Sequence, residues 1–439
     1  MTIQRTIRSL VGAALFLIAL GGLAHAEVKI QNFTSPSGQT IWLVEEPSIP
    51  IVGIELGFRG GSWLDPDGKE GLSRFAVGLM NEGSGDLDAV AFANRSDDIS
   101  ARIGFSVNRN AAEVSGRFLL ETLDEGIDLM ALTLSSPRFD TEPIERVRNQ
   151  ILSGIAQSET DPDSIAGKTW YANTFAGHPY ARPSEGTAAS INSITLDDLK
   201  ASHARLYQRA GLYVSIVGAI DAEKAGEIVD RLIASLPEGE VREVPAVETV
   251  PEPGVTVVEQ DVPQSVAIFG HKGLMRDDPD FIPAFVMNYI LGGGGFASRL
   301  TEEVREKRGL AYSVYSYLST MDGAGLYIGG VQTANERIAE SLDVIRAEWA
   351  RMASEGMTEE DLRKAKTYLT GSFPLRFDSN SKIANYLLFM QMEDLGIDYL
   401  EKRNGLIEAV TLEDIKRVAA RVLQPEALSF VVVGKPVGL

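Results

Sequence analysis

Histidine is the residue type in this sequence that could most readily support metal or acid–base chemistry, and it is scarce. Beyond residue 26 there are three histidines: His178, His203 and His271. A zinc site on a helix needs two histidines one turn apart, so that both imidazoles project from one face. No two of these three lie within four residues of each other. Each histidine alone is therefore predicted to have a structural role.

Arg305 and Tyr312 form a second pair that could do chemistry, in this case on a polarised carbonyl group. Arginine offers fixed N–H donors and tyrosine a phenolic hydroxyl, and both suit a developing oxyanion. The pattern predicts a helix over 302–308 and a strand over 311–317, so both side chains could face one cleft. The alternative is structural, with Arg305 paired to a neighbouring glutamate and Tyr312 in the core.

The composition indicates an acidic globular protein. Among 439 residues, 61 Asp and Glu outnumber 41 Lys and Arg, which gives a net charge of −20, and 44% are apolar. This length predicts two or three domains. The negative charge argues against a nucleic-acid partner, because phosphate binding needs clustered Lys and Arg. The absence of cysteine excludes disulfide frameworks, thiolate metal sites and a cysteine nucleophile.

Residues 1–26 have the pattern of a secretory signal peptide. Arg5 and Arg8 precede an apolar run over 10–23, and Ala24-His25-Ala26 fits a small-x-small cleavage site. The alternative is an uncleaved N-terminal anchor. The run is too short to span a membrane comfortably, and no later stretch is long and apolar enough. We therefore expect an exported, periplasmic protein with no membrane span after cleavage.

The rest of the chain is a doubled unit. Three separate blocks of sequence recur at nearly one offset, which is hard to obtain by chance. The pairs are residues 195–200 with 411–416 (offset 216), 141–146 with 358–363 (offset 217), and 50–54 with 263–267 (offset 213). Each half is therefore predicted to have the same order of elements.

A polar segment over 237–254 separates the two halves. It contains four prolines and five glutamates, a composition that is typical of an extended linker. We therefore predict one domain over 27–236 and a second over 255–439.

Strand and helix signals mix within each half. Residues 40–43 and 52–58 are predicted strands, whereas 118–134 has apolar residues at broadly helical spacing and 142–157 is another predicted helix. This mixture indicates two domains in which helices pack on a sheet.

The segment over 292–316, GGGGFASRLTEEVREKRGLAYSVYS, closely resembles the C-terminal domain of the M16 peptidases, the pitrilysin and mitochondrial processing peptidase family. GFRGGSWLDPDGKEGLSRF (57–75), FDTEPIERVRNQIL (139–152) and GHPYARPSEGT (177–187) follow the family's order. The resemblance spans 27–439. It implies an α+β fold of two tandem homologous M16-type domains, each a mainly antiparallel sheet packed with helices, that together form half of a clamshell.

The sequence departs from the family at the zinc motif. Active members carry His-x-x-Glu-His, in which two histidines bind zinc and the glutamate activates the bound water. Here the ligand positions hold Arg74 and Gly78, and the base position holds Val77. Catalytic zinc needs three protein ligands, an open water position and a base. We therefore expect no metal in this chain and no peptide hydrolysis by it alone.

The family's third zinc ligand is a glutamate that should fall on the predicted helix over 142–157. The alignment leaves two candidate positions, Val147 and Gly154, and neither is a carboxylate. A slip of two residues would place Glu145 at the first position as a relic ligand. Such a slip would not restore the rest of the site.

The second half retains residues that resemble the family's substrate-binding group, whereas the first half lacks the zinc motif. In active M16 enzymes an Arg and a Tyr that match Arg305 and Tyr312 face the zinc and bind the substrate backbone and the oxyanion. Gly293 and Gly294, within the glycine run 292–295, would belong to a loop that contacts substrate, since glycine permits close backbone approach.

The resemblance thus implies a non-catalytic subunit of a heterodimeric M16 zinc metallopeptidase. Its partner would be a homologous subunit with an intact His-x-x-Glu-His, which would hold the zinc, and its substrates would be peptides. The alternative is a self-associating peptide-binding or scaffold protein without protease activity.

Overall fold

The computed structural model describes residues 29–245, 247 and 251–439, so the signal peptide predicted at 1–26 lies outside the described residues. The described chain forms two large β-sheets and a short two-stranded ribbon. The strands are β1 (Gln31–Thr34), β2 (Thr40–Glu45), β3 (Ile51–Arg59), β4 (Gly83–Ser84), β5 (Leu87–Asp88), β6 (Arg102–Val107), β7 (Ala111–Leu119), β8 (Leu212–Gly218), β9 (Gly254–Glu259), β10 (Gln264–Lys272), β11 (Ala311–Met321), β12 (Ala324–Ala334) and β13 (Ser429–Gly434).

Helices surround both sheets. Two π-helical segments, Tyr289–Gly293 and Thr301–Glu306, lie before β11. The α-helices are α1 (Leu72–Gly78), α2 (Ala89–Asp98), α3 (Leu123–Ser135), α4 (Thr141–Ser158), α5 (Pro162–Thr174), α6 (Ala188–Ser193), α7 (Leu196–Leu206), α8 (Ala222–Ile233), α9 (Phe281–Asn288), α10 (Ile338–Glu355), α11 (Glu359–Gly371), α12 (Asn380–Met392), α13 (Tyr399–Ala409) and α14 (Leu412–Val422).

The two sheets have the same strand order. The first is β1-β2-β8-β3-β7-β6 and the second is β9-β13-β10-β12-β11, so that, among the described residues, only β1 lacks a counterpart. Each sheet contains one parallel pair, β2 with β8 and β9 with β13, and its other pairs are antiparallel. The α+β fold with two homologous, mainly antiparallel domains is thereby confirmed.

The repeated sequence blocks occupy equivalent places in the two halves. Thr195 and Thr411 each cap a helix, and each forms a capping box with the aspartate three residues later. Such a box satisfies N–H groups that have no partner inside the helix. Gly218 and Gly434 each end the strand that follows that helix. Local sequence therefore places the same boundaries in both halves.

One face of each sheet is covered by a helix from the other half. Helix α12 lies on the first sheet, where Trp42 and Leu387 belong to one buried cluster, and Ser215 Oγ donates to the carbonyl of Ala384 at 2.7 Å. Helix α5 lies on the second sheet, where Trp170 packs in a cluster with Val431. This exchange joins the two halves through apolar burial, the main favourable term in folding.

One predicted helix was too long. Within 118–134, Phe118 and Leu119 end strand β7, and helix α3 begins only at Leu123. Phe118 is paired with Val52 on β3, and its ring lies in the same core as α3. A strand end and a helix start that bury apolar residues in one core produce a continuous apolar pattern, so spacing alone misplaced the boundary.

None of the helices that the structure describes is long and apolar enough to cross a membrane.

Candidate functional site

Helix α1 carries the motif positions, and a buried aspartate fixes its first turn. Gly71 precedes the helix with φ of +85°, a conformation that favours glycine. The carboxylate of Asp65 accepts hydrogen bonds from the backbone N–H groups of Gly71 at 3.1 Å and Ser73 at 3.0 Å. Burial raises the pKa of Asp65 to about 6, although these hydrogen bonds oppose the shift. The start of α1 is therefore held by polar contacts within the protein.

The three motif residues point in two directions. Arg74 and Gly78, one turn apart, lie on the exposed side of α1, whereas Val77 is 8% exposed and packs in the core of the first half. Arg74 carries a positive charge, and the other two side chains have no ligating atom. These residues do not fit zinc, which needs neutral imidazole, carboxylate or thiolate donors.

Helix α4 lies opposite α1 and carries both candidates for the third ligand position. Val147 is buried, and a Cβ built on Gly78 would lie 3.4 Å from its Cγ1 atom. Gly154 instead opens into a cavity of about 460 Å³ that is also lined by Arg74, and a Cβ built on Gly154 would meet no atom within 4 Å. Glu145 is exposed and pairs with Arg148 at 3.3 Å. It does not line the cavity.

The three histidines each have contacts of a structural kind. His178 contacts the carbonyl of Pro245 at 3.0 Å and His203 that of Leu134 at 2.9 Å. His271 is buried in β10, where its Nε2 atom accepts from the indole N–H of Trp349 at 2.9 Å. Within the residues that the structure describes, no group of three His, Asp or Glu side chains could hold a metal ion.

Arg305 is stacked between two aromatic rings. It lies in the second π-helical segment, and its guanidinium carbon is 4.6 Å from the ring centroids of both Phe296 and Tyr312. Such cation–π contacts orient the guanidinium plane. Among the described residues Arg305 forms no ion pair. Its N–H groups are therefore not committed to a carboxylate.

The glutamates next to Arg305 are engaged elsewhere. Glu302 pairs with Lys307 at 2.9 Å, and Glu303 pairs with both Lys307 and Arg308. Hydrogen bonds from Arg308 and then Lys307 lower the pKa of Glu303 to about 2. The alternative in which Arg305 pairs with one of these glutamates is therefore not the arrangement found.

Tyr312 and Phe296 are exposed to an unusual degree for aromatic side chains. Tyr312 is 82% exposed and Phe296 is 68% exposed. Tyr312 lies at an irregularity in the pairing of β11 with β12, between Ala311 and Ser313, and such bulges re-aim a side chain. Tyr312 is thus outside the core, contrary to the structural alternative. Phe296 was missed by the sequence analysis, although its place directly after the glycine run was a signal.

The glycine run is shaped mainly by packing. A Cβ on Gly292 would lie 2.2 Å from Ser316 Oγ, one on Gly293 2.6 Å from Asn288 Nδ2, and one on Gly294 2.6 Å from the carbonyl oxygen of Tyr289. Small residues are therefore required at these positions whether or not substrate binds there. The run turns the chain so that Phe296 reaches Arg305.

Comparisons with known proteins agree with this architecture. The family model described as "Insulinase (Peptidase family M16)" matches residues 40–188, and the model "Peptidase M16 inactive domain" matches residues 193–369. A Helicobacter pylori protein named "Non-peptidase homolog YmxG" is 30% identical over 390 residues, which cover 89% of this chain and 90% of that protein. An "Uncharacterized zinc protease" of Rickettsia felis is 25% identical, over 90% of this chain and 95% of that protein.

A solved structure shows the same fold. A crystal structure of a peptidase M16 inactive domain from Pseudomonas fluorescens superposes with a TM-score of 0.88 at 29% identity, and covers 93% of this chain and 98% of that one. The sequence matches, the doubled α+β architecture and the residues at the motif positions lead to one conclusion. The chain belongs to the peptidase M16 family, as a non-catalytic member that lacks the family's zinc-binding residues.

Proposed function

We propose that this chain is the non-catalytic subunit of a heterodimeric M16 zinc metallopeptidase, in which it supplies Arg305 and Tyr312 to the zinc site of a homologous partner. The partner would carry the intact His-x-x-Glu-His motif and the zinc. The two subunits would enclose a peptide, as the two halves of a clamshell do. The observation that carries the proposal is the half-buried Arg305, which forms no ion pair among the described residues and is stacked between the exposed rings of Phe296 and Tyr312.

The chemistry of this group suits a supporting role in peptide hydrolysis. Stacking fixes the plane of the Arg305 guanidinium and leaves its N–H edges available, and the phenol of Tyr312 adds a further donor. Donors held in place before reaction stabilise a developing oxyanion without the cost of reorganisation. Neither side chain can generate a nucleophile, so the hydrolytic water must be activated in the partner.

The exposure of the two rings supports a partner surface. Exposed aromatic side chains together with arginine are enriched in protein interfaces. We place the complex in the periplasm, on the strength of the signal-peptide pattern over 1–26. Peptides and unfolded segments are the proposed substrates.

The test is to purify tagged, processed protein from its native host and to identify by mass spectrometry what co-purifies. We expect a stoichiometric M16 chain bearing His-x-x-Glu-His, and peptidase activity that requires both chains and is abolished by a zinc chelator. Recovery of this chain alone, as a self-associated species without peptidase activity, would reject the proposal and support the scaffold alternative.

A further inference from the structure

A matched pair of positions on the faces covered by α12 and α5 differs in charge between the two sheets. In the first sheet these positions hold Glu55 on β3 and Glu113 on β7. In the second sheet the equivalent positions hold Ile268 on β10 and Ile328 on β12. The register shows this equivalence, because Gly57 is paired with Glu113 and the matching Gly270 is paired with Ile328. One face thus carries two carboxylates where its repeat carries two isoleucines.

Glu55 is buried without a partner. It is 6% exposed, and no hydrogen bond or ion pair to it occurs among the described residues. A buried carboxylate normally has a cation or several N–H donors beside it, because desolvation of the charge is costly. Burial, and then the nearby Glu113, raise the pKa of Glu55 to about 8. The Glu55 side chain is therefore held in a place where no described cation or N–H donor offsets the cost of ionising it.

The two carboxylates line a cavity between the first sheet and α12. Its volume is about 290 Å³, and its polar lining includes Ser106, Ser115 and Asn385. Glu113 and Asn385 also line an adjoining cleft of about 400 Å³. Each of the two spaces is therefore large enough for a small organic group, and neither is a mere packing defect.

The charges around this space leave the two glutamates uncompensated. In the adjoining cleft Asp322 is neutralised by Arg59 at 3.1 Å, and Arg109 stacks on Tyr171 at 3.8 Å. Glu113 accepts one long hydrogen bond, from Asn108 at 3.4 Å. None of these groups supplies a cation to Glu55.

We propose that Glu55, Glu113 and Asn385 form a binding site for an organic cation with several N–H donors, that is, a guanidinium or alkylammonium group. A guanidinium presents a planar fork that carboxylates accept in pairs, and the amide oxygen of Asn385 can take a further N–H. A metal ion fits less well, because no described set of three ligating side chains converges. The site goes beyond the proposed function and needs no peptidase partner.

The experiment is a calorimetric titration of the purified chain with three probes. They are a capped Ala-Arg-Ala peptide, the same peptide with neutral citrulline in place of arginine, and spermidine. We expect the arginine peptide to bind at least about 10-fold more tightly than the citrulline peptide, since hydrogen bonds to charged groups contribute more than neutral ones. Glu55→Gln and Glu113→Gln should each weaken binding about 10-fold or more, and Glu121→Gln, at an exposed site, should not.

The outcomes identify the source of the cation or reject the proposal. Tighter binding of spermidine than of the peptide would assign the site to free polyamines, and the reverse to basic peptide side chains. The double variant Glu55→Ile/Glu113→Ile, which copies the second sheet, should remain folded by circular dichroism and lose binding. Absence of binding by both cations, equal binding of citrulline, or retained binding by the double variant would overturn the proposal.

Discussion

The two halves of this molecule are one fold used in two ways. Their sheets share the strand order, the single parallel pair and the capped helix before the last strand. At the motif positions, however, the first half presents Arg74 and Gly78, which cannot hold zinc. The second half presents Arg305 stacked on the exposed ring of Tyr312. Architecture and chemistry are therefore set by different residues.

The two halves can differ in chemistry because buried side chains maintain the fold, whereas outward-facing side chains are free to differ. Val77 occupies the base position, yet it packs in the core of the first half, so an apolar residue there serves folding. Arg74 and Gly78 face outward and can vary at little cost in stability. The faces covered by the exchanged helices show a similar contrast, since Ile268 packs in an apolar core whereas the matched Glu55 lines a cavity. Loss of function in the first half thus required no change of fold.

The largest expected effect follows from removing the group that only the second half provides. Arg305→Ala, in the complex with its partner, should lower peptide turnover by roughly 10²–10³-fold, the usual cost of losing one oxyanion donor. Turnover should be measured on complexes of verified stoichiometry. Arg363→Ala, which removes an exposed arginine that pairs with Glu360, is the control and should have little effect. An unchanged rate for Arg305→Ala would remove Arg305 from the mechanism.

The second prediction concerns the carboxylate that distinguishes the two sheets. The pKa of Glu55 is about 8 in the folded chain against an ordinary value of 4.5, so the folded state holds a proton that the unfolded state has released. The associated stability is fully present below about pH 4.5 and is lost as the pH rises through 8. Because one pKa unit corresponds to about 1.4 kcal/mol, the loss should reach up to a few kcal/mol.

Urea unfolding at pH 5 and pH 8.5 measures this effect. Glu55→Gln should flatten the pH dependence and become more stable than the unmodified protein at the higher pH. Glu113 faces the same cavity and its pKa is also raised by burial, so Glu113→Gln should have a smaller effect in the same direction. Parallel pH profiles for Glu55→Gln and the unmodified protein would contradict the assignment.

A third experiment restores the lost motif and decides where the third ligand belongs. Arg74→His, Val77→Glu and Gly78→His would be combined with either Gly154→Glu or Val147→Glu. Position 154 opens into the cavity that Arg74 lines, whereas position 147 is buried. The set with Gly154→Glu should therefore bind zinc about 10–100-fold more tightly than the set with Val147→Glu, since changes near a metal site typically alter its affinity by that factor. Competitive zinc titration gives the two affinities, and the unmodified chain is the blank. Equal affinities would show that the cavity does not select the position.

The smallest effect tests how Arg305 is held. Phe296→Ala removes one of its two stacked rings, and an exposed cation–π contact contributes about 0.5–1 kcal/mol. Turnover of the complex should therefore fall about 2–5-fold, whereas Phe296→Tyr should retain it. A loss as large as that of Arg305→Ala would mean that Phe296 itself contacts substrate.

Much of this protein could be predicted from its sequence. The repeat, the strands over 40–43 and 52–58 and the helix over 142–157 were predicted correctly, because they rest on local patterns. The strand-to-helix boundary within 118–134 was misplaced, because both elements share one core. Phe296 was missed, since no periodic signal marks a single exposed ring.

The sequence by itself determined the family fold and the absence of zinc ligands at positions 74, 77 and 78, because the chemistry of a side chain belongs to its residue type. Only the tertiary structure decided that Arg305 stacks on Phe296 and Tyr312, and that Glu55 and Glu113 share a cavity under α12. These arrangements depend on which distant segments pack together, and on how that packing removes charges from water.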